Sequence, residues 1–234
     1  MSLTYSTYVV AISQLCTIPS TDANFQAILP DAIDYAEQRI YRELDLLATF
    51  VADATGSLAA NNRNYTLPVP AAGPFVTVES VNVITPAATA PESGTRNPLM
   101  KTSVDFVNFL APNTSTAGIP TVFAMLTNQS LIVGPFPSAA YRIEVVGTIR
   151  PNPLSTTNTT TILSTQLPDM LVAASMVFMS GYMKNFGSQA DDPKMAQSWE
   201  GQYKTLMSSA NVEEMRKKYT NFTGRQVDQT PRAA

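Results

Sequence analysis

The chain has 234 residues, 44% of them hydrophobic and only 14% charged, with a net charge of −3. That length suits one substantial core or two small ones, and such sparse charge favours a surface partly covered by partners. With no histidine and a single cysteine, Cys16, the sequence excludes Ser-His-Asp and Cys-His catalysis, histidine-ligated zinc and an internal disulfide.

The elements follow in chain order. Tyr5, Tyr8, Val9, Ile12, Leu15 and Cys16 recur at three- and four-residue steps and predict a first amphipathic helix, ended by Pro19. Residues 22–47 carry a second helical pattern. There Pro30 fits the first turn of the longer part, with Asp31 and Asp34 near its positive end. From about residue 48 the period shortens. The runs 74–85, 121–127, 130–134 and 140–149 alternate or are β-branched, and Asn128–Gln129 reads as a hairpin turn. Ser103 caps a short helix within this block, and residues 86–98 read as a long loop.

Helical periodicity returns at 165–187, where the run from Met170 to Met183 has no charge but is too short to span a bilayer. Beyond it, Asp191 and Asp192 stand as a carboxylate pair before Pro193. Pro193 holds Asp192 in extended geometry, so Asp192 reads as the N-cap of a helix and not as a metal ligand or an acid–base partner. Trp199 and Tyr203 lie on the apolar face of that helix, as core or subunit-interface aromatics. A separate last helix, capped by Asn211, fits 211–219, with Glu213–Lys217 and Glu214–Lys218 as solvated pairs.

The fold class is therefore α+β: terminal helices packed as a bundle with an inserted antiparallel β lobe. The bundle takes residues 1–47 and 162–219, the lobe 48–150, a polar connector 151–161 and an extended tail 220–234. Charge is spread as −4 over residues 1–50, zero over 51–164 and +1 over 165–234, with no basic stripe for sequence-independent DNA binding. No nucleotide, phosphate or thiol motif is present, and no cofactor or metal is expected. The acids Asp53, Glu79, Glu92, Asp105 and Glu144 are dispersed through the β block, and no pairing among them is favoured.

The stretches 35-YAEQRIYRELDLL-47, 144-EVVGTIRPNPLS-155 and 166-QLPDMLVAASMVFMSGYMKNFGSQADDPKMAQSWEGQYKTLM-207 resemble head-to-tail adaptor (connector) proteins of tailed bacteriophages. The resemblance implies a non-enzymatic virion protein at the head–tail interface, made in the host cytoplasm. It implies a ring, commonly of twelve copies, below the portal protein, with DNA passing through the lumen unread. A tail or nozzle protein docks beneath, and no membrane is involved. It also implies a C-terminal tail that docks on the portal, here Tyr219, Phe222, Arg225 and Val227. Two other readings remain beside it: a tail-completion or tail-tube ring protein, and a virion-associated cell-envelope hydrolase that works through paired carboxylates.

Overall fold

The computed structural model describes residues 2–183 and 193–223. The chain forms two compact units: one from residues 1–47 and 152–234, the other from 48–151. Helices build the first and sheets the second, so the α+β class read from the sequence is the observed one.

In the helical unit, α1 (Tyr5–Cys16) starts at Thr4, whose side chain accepts the Thr7 N–H, and ends at Thr17 in left-handed geometry. Helix α2 (Ala23–Glu43) starts at Asp22, which accepts the Phe25 N–H at 2.8 Å. It runs unbroken through Pro30, so Pro30 is an interior residue and Asp31 and Asp34 lie beyond the first turn. An interior proline costs about 3 kcal/mol. Phe25, Leu29, Ile33, Ala36 and Ile40 nevertheless form one buried stripe across it, and that burial outweighs the lost bond.

The expected single helix at 165–187 is two helices, α4 (Ile162–Gln166) and α5 (Pro168–Met183), because Pro168 has no N–H to continue the first. Helix α5 is buried on several sides and packs against α1, α2 and the last helix, α6 (Pro193–Thr223). Ser175 sits at its centre. The Ser175 hydroxyl accepts from Tyr8 Oη at 2.6 Å and donates to the Leu171 carbonyl at 2.7 Å, which leaves neither hydroxyl stranded. Burial pushes the Cys16 thiol up to about 11, in keeping with a small core side chain.

Two expectations near the C-terminus change. Helix α6 is continuous, with Asn211 in its interior, since Tyr203, Met207, Ala210 and Glu214 carry one inward stripe past that point. It also extends to Thr223, so the segment that begins at 220 does not start as an extended tail.

The second unit is a sandwich of two four-stranded sheets. One has the order β1 (Phe50–Asp53), β8 (Arg142–Ile149), β3 (Phe75–Thr85), β4 (Thr95–Pro98). The other has the order β2 (Asn64–Thr66), β7 (Ser130–Gly134), β6 (Val122–Thr127), β5 (Met100–Lys101). All pairings are antiparallel except β5 with β6. The β6–β7 hairpin turns at Asn128–Gln129.

Alternation explains the packing. Phe123 on β6 and Leu131 and Val133 on β7 face the main core with Val81, Val83, Ile143 and Val145. Val122, Ala124 and Ile132 face the other way, onto Val107 of α3 (Val104–Leu110), whose N-cap is Ser103. Residues 95–98, read from the sequence as loop, form β4 because polar side chains fasten them. Arg96 donates to Glu144, and Asn97 donates to the Val83 carbonyl and to Thr85 Oγ1. Gly147 of β8 lies against the bulged part of β3. A Cβ there would meet the Thr77 carbonyl oxygen at 2.0 Å, so only glycine fits.

The lobe's first and last strands are neighbours, with Phe50 opposite Thr148 and Asp53 opposite Val145.

Candidate functional site

The helical unit carries a polar cluster and two open clefts. Its most organised polar cluster joins α2 to α6. Arg39 Nη1 and Nη2 each donate to Glu200 at 2.7 Å, and Arg39 Nε donates to Glu43 at 3.1 Å. The guanidinium lies 4.1 Å from the ring centre of Tyr203, whose hydroxyl donates to Glu43 at 2.8 Å. Bidentate pairing holds the Glu200 carboxyl below its usual range, and the same bonds raise the Arg39 guanidinium further. Burial, followed by its bond to Glu43, pushes the Tyr203 hydroxyl up. Every group here is engaged by another, so the cluster fastens helices and presents no free acid or base.

A cleft of about 700 Å³ opens beside it, lined in part by Asp31, Tyr35, Arg42 and Glu200. A second opening, of about 640 Å³, is more apolar. Leu3, Val172, Trp199 and Leu206 form its walls, and among the described residues Asp169 is the one ionisable group lining it. Trp199 is thus half-buried at the edge of the core, whereas Tyr203, one turn on, is wholly inside it.

Two carboxylates of the helical unit are buried. Glu214, assigned to a solvated pair with Lys218, instead accepts the Leu47 N–H at 2.9 Å and a Lys217 bond at 2.7 Å. Lys218 pairs with Asp45, and Glu213 keeps its Lys217 partner. The signal was present: Tyr203, Met207 and Ala210 place Glu214 on the inward stripe. Glu37, 3% exposed, meets the Leu154 N–H with both oxygens at 3.3 Å and Thr161 Oγ1 at 3.4 Å. Burial pushes its carboxyl up to about 7 against the pull of those bonds.

The acids of the β block are used singly. Asp53 accepts from the Thr55 N–H and hydroxyl, Glu144 is held by Asn82 and Arg96, and Glu79, Glu92 and Asp105 are exposed. No group of three acids or cysteines able to hold a metal occurs among the described residues. No described helix is long and apolar enough to cross a membrane.

What stands out on the surface is apolar. On α3, Phe109 is 83% exposed beside Phe106 and Leu110. On α6, Val212, Met215 and Tyr219 are exposed on the side away from Tyr203, Ala210 and Glu214. Tyr219, placed by sequence in a docking tail, is therefore on a helix, as is the backbone of Phe222. The Phe222 side chain, Arg225, Val227, Asp191 and the cap residue Asp192 lie outside the described residues.

Aromatics exposed on two helices are apolar surface of the kind that protein–protein contacts use. The model of one family, SU10 adaptor protein, matches residues 3–227. The chain belongs to the SU10 adaptor family. No curated protein matches it. The resemblance to phage head-to-tail adaptors agrees with this membership, and the match spans both units of the SU10-family adaptor. Adaptor membership assigns the chain to phage structural components of the head–tail junction.

Proposed function

We propose that the chain is a virion structural protein that forms a ring, commonly of twelve copies, below the portal protein. In that position it extends the channel for DNA and docks the tail or nozzle protein. The family match over residues 3–227 carries this reading. Charge supports it: no basic stripe lines any segment, which suits a channel through which DNA slides without being held. The exposed aromatics of α3 and α6 supply apolar contact area of the kind ring subunits need. Docking on the portal is assigned to the C-terminal segment, with Tyr219 and Phe222 at the end of α6 and Arg225 and Val227 beyond Thr223.

The test is to mix the purified chain with the portal protein of its phage and image the product. A ring added under the portal, with subunits in register with it, is the expected outcome. Binding only to tail components would instead make it a tail-completion or tail-tube protein. Turnover of a cell-envelope polymer, lost when Glu144 is replaced, would make it a hydrolase.

A further inference from the structure

We propose that α6 is hinged at Asn211, and that the arm from there to Thr223 leaves the end of α2 when the C-terminal segment engages the portal protein. The hinge stands on the structure of the helix itself; its use in docking rests on the function proposed above.

Two kinds of contact hold α6 in place. Up to Ala210 its inward side chains are apolar, and Trp199, Tyr203, Leu206, Met207 and Ala210 all join the helical core. Among the described residues none after Ala210 belongs to that core. The inward position beyond it is Glu214, which accepts the Leu47 N–H at 2.9 Å and a Lys217 bond at 2.7 Å. Lys218 pairs with Asp45, which is mostly exposed, and Arg216 and Tyr219 are engaged as well. Val212 and Met215, the large aliphatic side chains of the arm, point to solvent. The arm is thus latched where the rest of the helix is packed. A polar latch at the surface gives way to water and salt more readily than a core does.

The residues at the joint encode a second state. Asn211 is a strong helix starter placed in mid-helix, and Glu214, three residues on, completes a capping box. In the continuous helix that box is unused, because the Glu214 carboxylate is turned to Leu47. With the helix broken at Asn211, the same carboxylate accepts the Asn211 N–H, and the Asn211 side chain accepts the Glu214 N–H. Two donors freed by the break are then satisfied without help from any other residue.

Charge fits the shorter helix as well. The whole of α6 has no acid in its first turn and no base in its last. A helix begun at Asn211 opens on Glu213 and Glu214 and carries Arg216, Lys217 and Lys218 behind them, as the helix dipole favours. Glu214 therefore has two alternative amides, Leu47 in the docked arm and Asn211 in the released one. That choice makes the arm a two-state element.

Hydrogen exchange at the Leu47 amide reads the latch, since that N–H is freed when Glu214 leaves. Asn211→Ala removes the cap at an exposed position and is expected to slow this exchange about fivefold. Asn211→Ser, an equally good cap, should leave it as in wild type. Asp45→Cys with Lys218→Cys, bridged by a short bis-maleimide, pins the arm; the native Cys16 is buried and stays silent. Pinning should weaken binding to the portal protein about tenfold or more, whereas the unbridged double variant should bind at least as well as wild type.

Exchange at Leu47 that ignores Asn211→Ala overturns the hinge. Equal slowing by Asn211→Ser and Asn211→Ala does the same, because helix propensity and not a cap is then at work. A pinned chain that binds the portal protein as tightly as the unbridged one overturns the release on docking and leaves the function reading intact. A wild type that does not bind the portal protein at all removes that reading instead, and exchange at Leu47 alone then decides the hinge.

Discussion

Glu37 is a carboxylate placed where only its neutral form is comfortable. It is buried and faces two donors at long range, and Asp34 nearby raises it further. Its ordinary value of 4.5 rises to about 7 in the folded chain, so between those pH values the folded state holds a proton that the unfolded state has released. Stability therefore falls as pH rises from about 4.5 to 7 and levels off above that. The full loss is on the order of 3 kcal/mol. Glu37→Gln keeps an acceptor for Leu154 and cannot ionise, so it should flatten this dependence and melt higher than wild type at pH 8. Denaturant titrations at pH 5, 6, 7 and 8 check it; an unchanged slope in the variant would reject the assignment. The position of Glu37 was legible, since it shares the stripe of Ile33, Ala36 and Ile40. Its donors were not. Leu154 and Thr161 lie more than a hundred residues away in sequence, and no local pattern announces a long-range bond.

Between α2 and α6 the fastening is ionic and aromatic at once. The Arg39 side chain is mostly covered, and its planar fork meets Glu200 on two parallel bonds while its face covers Tyr203. Arg39→Met removes both and leaves Glu200 and Glu43 without their partner, at a cost of about 1–2 kcal/mol after allowing for the partial exposure of the acids. Arg39→Lys should recover only part of this, because an ammonium supplies neither two parallel bonds nor a flat face. Thermal melts of the two variants, run beside Tyr203→Phe, separate the contributions. Equal melting of the Lys variant and wild type would show that charge alone matters. Helices with strong periodicity were readable as elements for the reason α2 and α6 show: one apolar stripe outlasts local interruptions such as Pro30 and Asn211. Strands β2, β4 and β5 escaped because their residues are held by polar bonds and by position at sheet edges, and they carry no alternation to read. The surfaces of the candidate site were only half legible. Trp199 stood out by type, but the groove beside it depends on Leu3, just ahead of α1, and Val172 of α5 arriving from elsewhere in the chain.

At the scale of the whole chain, the helical unit is made from two ends separated by the β lobe. Helix α2 must find α5 and α6 across about a hundred residues of intervening chain. Closing a flexible loop of that length costs about 4 kcal/mol in chain entropy. The pairing of β1 with β8 changes the problem, because once formed it holds the lobe's first and last residues side by side. To the helices, a folded lobe is then a connection only a few residues long. Folding order follows from this: the lobe forms first and acts as a clip that presents the two halves of the bundle to each other. Trp199, the chain's single tryptophan, reports on the helical unit alone and lets the order be seen. Gly147→Ala, which forces a methyl group against the Thr77 carbonyl, should weaken the lobe by about 1–3 kcal/mol. Recovery of Trp199 fluorescence on refolding should then slow although no residue of the bundle has changed, and an unaltered rate would refute the order. The same pairing that closes one edge of a sheet thus sets the time at which the helices can meet.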